Sequence, residues 1–166
     1  MACLLVLIAP DALAAERVAV FDPELYDTSG EGPRDDQQKR LAMIGDSLRA
    51  ALAESGRFEV VDTAPLRARL KEGPSLRTCA TCAPDAAAEL GADLALLTTV
   101  HKVSNLILSI TVALREASPG SGTRAVYSAE IRGNTDESWN HGLRWLLRNR
   151  LLAPPPPQGI PGAAAR

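Results

Sequence analysis

Aromatic side chains are scarce. Phe, Trp and Tyr together supply 4% of the 166 residues, so stacking platforms for nucleic-acid bases are few. An excess of one charge is also missing. The net charge is −2, so no bulk basic field draws the chain to nucleic acid or to an anionic membrane. No apolar run approaches the length of a bilayer-spanning helix. Histidine occurs only as His101 and His141, far apart in sequence and outside any His-Glu-x-x-His pattern. No Gly-x-Ser-x-Gly elbow, phosphate loop or dinucleotide fingerprint occurs. These absences lead to the expectation of a chain that is not an enzyme. It is expected to have no cofactor, no metal site, no nucleic-acid partner and no transmembrane segment once mature.

What is present is an ordinary globular balance, with 46% apolar and 23% charged residues. The length suits one domain with its own core. With aromatics rare, that core must come from Leu, Val, Ile and Ala.

The first residues read as a targeting segment. Leu4 to Ile8 is uninterrupted apolar sequence, and Ala12-Leu13-Ala14 is a small-x-small pattern. Residues 1–14 are therefore expected to be a signal peptide, truncated at its start since no Lys or Arg precedes the apolar run, and cleaved before Ala15. Cys3 does not follow a lipoprotein-type small-residue box. The mature chain is expected in the periplasm, an oxidising compartment.

From Arg17 the signals alternate. Arg17 to Phe21 reads as a buried strand, and Asp22 to Pro33 as a polar loop. Asp35 to Ser55 reads as a helix, because Leu41, Ile44, Leu48 and Leu52 share one face. Gly56 offers its left-handed stop. Phe58 to Val61 is a short strand. Thr63 is expected to cap a helix over Pro65 to Lys71, and Pro84 to Leu90 forms another, ended by Gly91. Leu94 to Val100 suits a strand covered on both faces. Asn105 to Leu114 alternates and pairs with Arg124 to Ile131 across a Pro-Gly turn. Asn134 and Glu137 stand at capping-box spacing before a last helix that runs to Leu152. Residues 15–152 then form one α/β (α+β) domain: a single mixed β-sheet flanked by helices, in the order β-α-β-α-α-β-β-β-α. Residues 153–166, rich in Pro and Ala, are expected to be a disordered tail.

This order carries local phrases that resemble a known superfamily. Val18-Ala19-Val20-Phe21-Asp22, Ser55-Gly56-Arg57-Phe58-Glu59-Val60-Val61-Asp62 and Leu90-Gly91-Ala92-Asp93 are the phrases. They resemble the periplasmic α/β domains shared by three envelope proteins. Those are the N-terminal domain of the Tol translocation protein TolB, the curli secretion lipoprotein and the lipoprotein activator of penicillin-binding proteins. Two further phrases, Val103 to Leu108 and Ile131 to Trp139, together with Gly142-Leu143-Arg144-Trp145-Leu146, look like the signatures of a bacterial periplasmic family described as a domain of unknown function. The resemblance implies export, this fold and protein contact within the envelope. It also implies a context near periplasmic quinoprotein alcohol oxidation. It brings no catalytic residues.

Several residues stand out as candidates. Cys79-Ala80-Thr81-Cys82 is followed by Ala83, not by the His that haem attachment needs. A local structural disulfide is the preferred reading, with redox chemistry, free thiols or a metal as alternatives. His141, Arg144 and Arg148 lie on one basic face of the last helix. That face is either simply solvated or a site for a small anion or an acidic partner. Trp139 is expected in the core. Trp145 is either an exposed anchor or a second core contact. Asp22 and Tyr26 follow the first strand, where open α/β sheets often build sites. The function expected is that of a periplasmic accessory protein contacting another envelope protein. The alternative is a small-molecule-binding factor of a periplasmic oxidation system.

Overall fold

The computed structural model describes residues 15–32, 34–118 and 122–154. The expected signal peptide, and the tail from residue 155, lie outside the described residues. Six strands form one mixed sheet: β1 (Glu16–Val20), β2 (Glu24–Asp27), β3 (Phe58–Val61), β4 (Leu94–Lys102), β5 (Ile107–Glu116) and β6 (Thr123–Arg132). Four helices accompany it: α1 (Asp35–Glu54), α2 (Ala64–Glu72), α3 (Cys82–Glu89) and α4 (Asp136–Leu146). The strand order is β3-β1-β4-β5-β6, with β2 also paired to β4. The expected mixed α/β architecture is borne out.

One strand departs from the sequence reading. β2 lies inside the segment expected to be a loop. β1 and β2 both run parallel to β4, β1 against Leu94–Leu96 and β2 against Thr99–Lys102. They form two lengths of one lane, interrupted at Phe21–Pro23, where Pro23 has no N–H to give to a ladder. β2 escapes detection because Glu-Leu-Tyr-Asp sits at the sheet margin, only partly buried, and shows no apolar alternation.

β4 is central, and its even and odd residues feed two cores. On one face Val18, Val20, Leu94, Leu96, Val100, Ile110 and Val112 meet Leu41, Ile44, Leu48 and Leu52 of α1 and Trp139, Leu143 and Leu146 of α4. On the other, Ala19, Phe21, Ala95 and Leu97 meet Leu66 of α2 and Ala83, Ala86 and Ala87 of α3. The small Ala side chains let α3 lie close to β4. Burial alternates along β5 as expected for Leu108, Ile110, Val112 and Leu114. Leu106 does not follow them: it is exposed, because β5 starts one residue later.

Helix ends also refine the reading. Asp62, not Thr63, receives the Ala64 N–H, at 2.9 Å. The Thr63 hydroxyl turns inward toward Val20 O. The capping box of α4 is Thr135 with Ser138, one residue beyond the expected Asn134 and Glu137. Gly142 lies against β6 so closely that an added Cβ would meet Ile131 Cγ1 at 2.7 Å. The last helix is not uniform. After Leu146 it widens into a π-helical turn, Leu147–Leu151, closed by Leu152 N–H to Leu147 O at 2.8 Å.

Candidate functional site

The carboxyl ends of β2 and β4 carry a polar hub. Lys102 is buried on the α1–α4 face, and its Nζ reaches Glu31 Oε2 at 2.8 Å and Asp27 Oδ2 at 3.3 Å. Glu31 accepts from Asn105 Nδ2 at 2.8 Å. Asn105 Oδ1 accepts from Asn134 Nδ2 at 2.9 Å. Asn134 Oδ1 accepts from the Trp139 indole N–H at 3.0 Å and from Arg40 at 3.2 Å. Arg40 also holds Asp36 and Asp136. The two signature phrases, Val103–Leu108 and Ile131–Trp139, thus meet here, joined further by Gly133 N–H to Leu106 O. Asn134 is taken by Trp139 and Asn105, which leaves the cap to Thr135.

The hub sets the charge states around it. The Ser29 hydroxyl, followed by its backbone N–H and Lys102, holds the Asp27 carboxyl below 3.8. The Lys102 hydrogen bond holds Glu31 below 4.5. Burial pushes the Lys102 ammonium down, but its bonds to Glu31 and Asp27 outweigh burial and hold it above 10.5. The signs follow from proton linkage. The carboxylates stabilise the fold above their unfolded values, and that contribution is lost as pH falls through the lower folded values. The Lys102 contribution is present below 10.5 and is lost only as pH rises through its higher folded value. Lys102→Met is therefore expected to lower the urea midpoint at about pH 7, and to narrow the gap between the midpoints at about pH 7 and about pH 3. An unchanged gap would show that the three charges do not act together.

The loop after β1 forms one wall of a cleft of about 770 Å³ between α1 and α2. Its lining includes Phe21, Asp22, Leu41, Arg49, Arg67 and Leu76. Asp22 bridges Arg49 and Arg67, the latter at 3.2 Å. Gly45 admits this loop, since a Cβ there would meet Pro23 Cδ at 2.9 Å. Tyr26 does not line the cleft. Its ring stacks on His101 at 4.7 Å between centroids, with the Arg77 guanidinium 4.3 Å from its centroid. Asp22 and Tyr26 are thus separated into a cleft residue and a surface stack.

The outer face of α4 gathers the remaining candidates. His141, Arg144 and Arg148 are exposed, and Trp145 is 38% exposed. Arg150, which the sequence reading did not single out, places its guanidinium 5.6 Å from the Trp145 ring centroid. A sequence signal for this face exists in what is missing: all 20 acidic residues precede Ser138, whereas Arg144, Arg148, Arg150 and Arg166 follow it. Trp139 is fully buried, as expected.

Elsewhere, the Cys79 and Cys82 sulfur atoms lie at bonding distance, with Cα atoms 5.5 Å apart at the start of α3. Among the described residues, no group of three or more His, Cys, Asp or Glu is placed to hold a metal ion. Among them, too, no helix is long and apolar enough to cross a membrane.

Comparison with solved structures supports the fold. The LpoB C-terminal domain from Salmonella enterica is similar at a TM-score of 0.53 and 16% identity, over 75% of this chain and 87% of that one. The lipoprotein GNA1162 from Neisseria meningitidis is similar at 0.51 and 18% identity, over 72% and 82% of the two chains. The NMR structure of Escherichia coli LpoB gives 0.55 and 18% identity over 73% of this chain, which spans 58% of that one. No curated protein matches the chain. The pattern of the DUF3280 family, described as "Protein of unknown function (DUF2380)", matches residues 16–151. It runs from β1 through both signature phrases to the end of the π-helical turn, and the chain belongs to that family.

Proposed function

We propose that this protein is a non-enzymatic accessory factor of the bacterial envelope that contacts another envelope protein through the outer face of α4. The observation that carries the reading is Trp145. It stands partly exposed on a helix whose opposite face is fixed in the core, beside Arg144 and Arg148. A rigid aromatic anchor flanked by arginines is what interaction hot spots favour. The fold shared with LpoB domains and with a lipoprotein supports an envelope setting. Cleavage before Ala15 would release the mature chain to the periplasm, where Cys79 and Cys82 would be oxidised.

The test is cross-linking and affinity capture of the tagged mature protein from its native periplasm. Trp145→Ala and Arg148→Ala are expected to weaken recovery of one reproducible partner while lowering the thermal midpoint only slightly, because neither side chain belongs to the buried core. Intact binding alongside a lowered midpoint would overturn the assignment. The same preparation, alkylated without reduction, should keep its unmodified mass; two added alkyl groups would refute the disulfide.

The cleft beside Asp22 supports a second reading, a small-molecule factor of periplasmic oxidation. A thermal-shift screen of small alcohols, aldehydes and carboxylates tests it. A stabilising compound whose effect vanishes in Asp22→Ala would favour this reading. No shift with any of them would discard it.

A further inference from the structure

We propose that the outer face of α4 and its π-helical turn dock an acidic segment of the partner protein, with Arg144, Arg148 and Arg150 receiving carboxylates beside Trp145. This rests on the contact reading above and gives the partner its chemistry.

The charge distribution is the first argument. No Asp or Glu follows Glu137, although the whole chain is slightly acidic. Elsewhere Arg17, Arg40, Arg49, Arg69 and Arg124 each hold an Asp or Glu, and Arg57 and Arg115 donate to backbone carbonyls. Among the described residues, Arg144, Arg148 and Arg150 take part in no ion pair. A face of unmatched guanidinium groups is complementary to carboxylates, which they grip with two parallel hydrogen bonds.

Preorganisation is the second. Residues five apart in a regular α-helix stand about 140° apart around the axis. The wider π turn reduces that offset and returns Arg150 toward the Trp145 ring. The guanidinium lies within cation–π range of the ring, and its N–H groups take part in no ion pair among the described residues, so they can meet a ligand. Arg57 supports the turn from below, donating to Leu151 O at 3.3 Å and to Ala153 O at 3.4 Å.

The geometry disfavours other anionic surfaces. A helix that lies in a membrane must present a broad apolar face to the lipid. Here Trp139, Leu143, Leu146, Leu147 and Leu151 are all consumed by the core. Trp145 is the one large apolar side chain that α4 exposes among the described residues. Nucleic acid would meet an acidic remainder of the protein, which repels a polyphosphate. A carboxylate-bearing protein segment fits both the charge and the narrow width of the face.

The experiment places a photo-reactive side chain at His141 in the full-length protein, in its native host, and maps the cross-linked peptide by mass spectrometry. The expected product is a partner segment rich in Asp and Glu. Its yield should fall on the order of tenfold when Arg144, Arg148 and Arg150 are all changed to Glu, and much less when all are changed to Lys. Should the Glu variant unfold, the matching Gln variant replaces it, with the same direction expected. A cross-link to a segment without acidic residues, or a yield indifferent to charge reversal, overturns the acidic docking while the contact reading stands. Adducts with phospholipid overturn it in favour of a membrane. No adduct from this face overturns both readings.

Discussion

Trp139→Ala is expected to destabilise the protein by about 3–5 kcal/mol, read as a fall in the urea midpoint. Trp139 is the largest of the fully buried side chains. It joins α4 to the core formed with α1 and the sheet. Truncation removes the transfer energy of the ring and leaves a cavity that α1, α4 and β6 cannot close without moving together. Domains of this kind have only about 5–15 kcal/mol in total, so the variant should sit at the edge of folding. Trp139→Phe keeps most of the ring and should lose well under half as much. A loss below about 1 kcal/mol in Trp139→Ala would mean that α4 does not pack as described.

The second large effect is expected at Asn134. Its amide satisfies the Trp139 indole N–H and part of Arg40, and it donates to Asn105. Asn134→Ala strands a buried indole donor, for a cost of about 2–3 kcal/mol. A double-mutant cycle separates this from lost packing. In the Trp139→Phe background the donor is gone, so Asn134→Ala should cost distinctly less there. Additive losses would show that Asn134 acts through Arg40 and Asn105 alone. The same variant should loosen the link between the β4–β5 turn and the start of α4. Faster amide exchange at Gly133 and Leu106 would report this directly.

Much of this fold is legible along the chain. The helical spacing of Leu41, Ile44, Leu48 and Leu52 identifies α1, and the run Leu94 to Val100 identifies the central strand. The alternation from Leu108 to Leu114 gives both the strand and the face it buries. Gly56 and Gly91 take the left-handed backbone, at φ of 66° and 70°, that their stop positions require. β2 is missed because a marginal strand of four mostly polar residues is recruited by β4, not by its own pattern. The cap of α4 shifts by one residue because Asn134 has a stronger claim on it from Trp139.

The candidate site divides the same way. His141, Arg144, Trp145 and Arg148 can be placed on the last helix from spacing, and the lack of acid beyond Glu137 is visible in the sequence. Arg150 joins them only through a π turn that no local period announces. Asp22 enters a cleft whose other wall, α2, lies some forty residues on.

By itself, then, the sequence determined the elements, their buried faces and the class of the fold, because helix and strand periods are local and the chain must bury whatever they align. Only the tertiary structure decided which polar residues meet. Lys102 and Glu31 are 71 residues apart, and Arg40 and Asn134 are 94 apart. Such pairs depend on how the strands are ordered and how the helices lie across them, and a period of two or 3.6 residues carries no record of that.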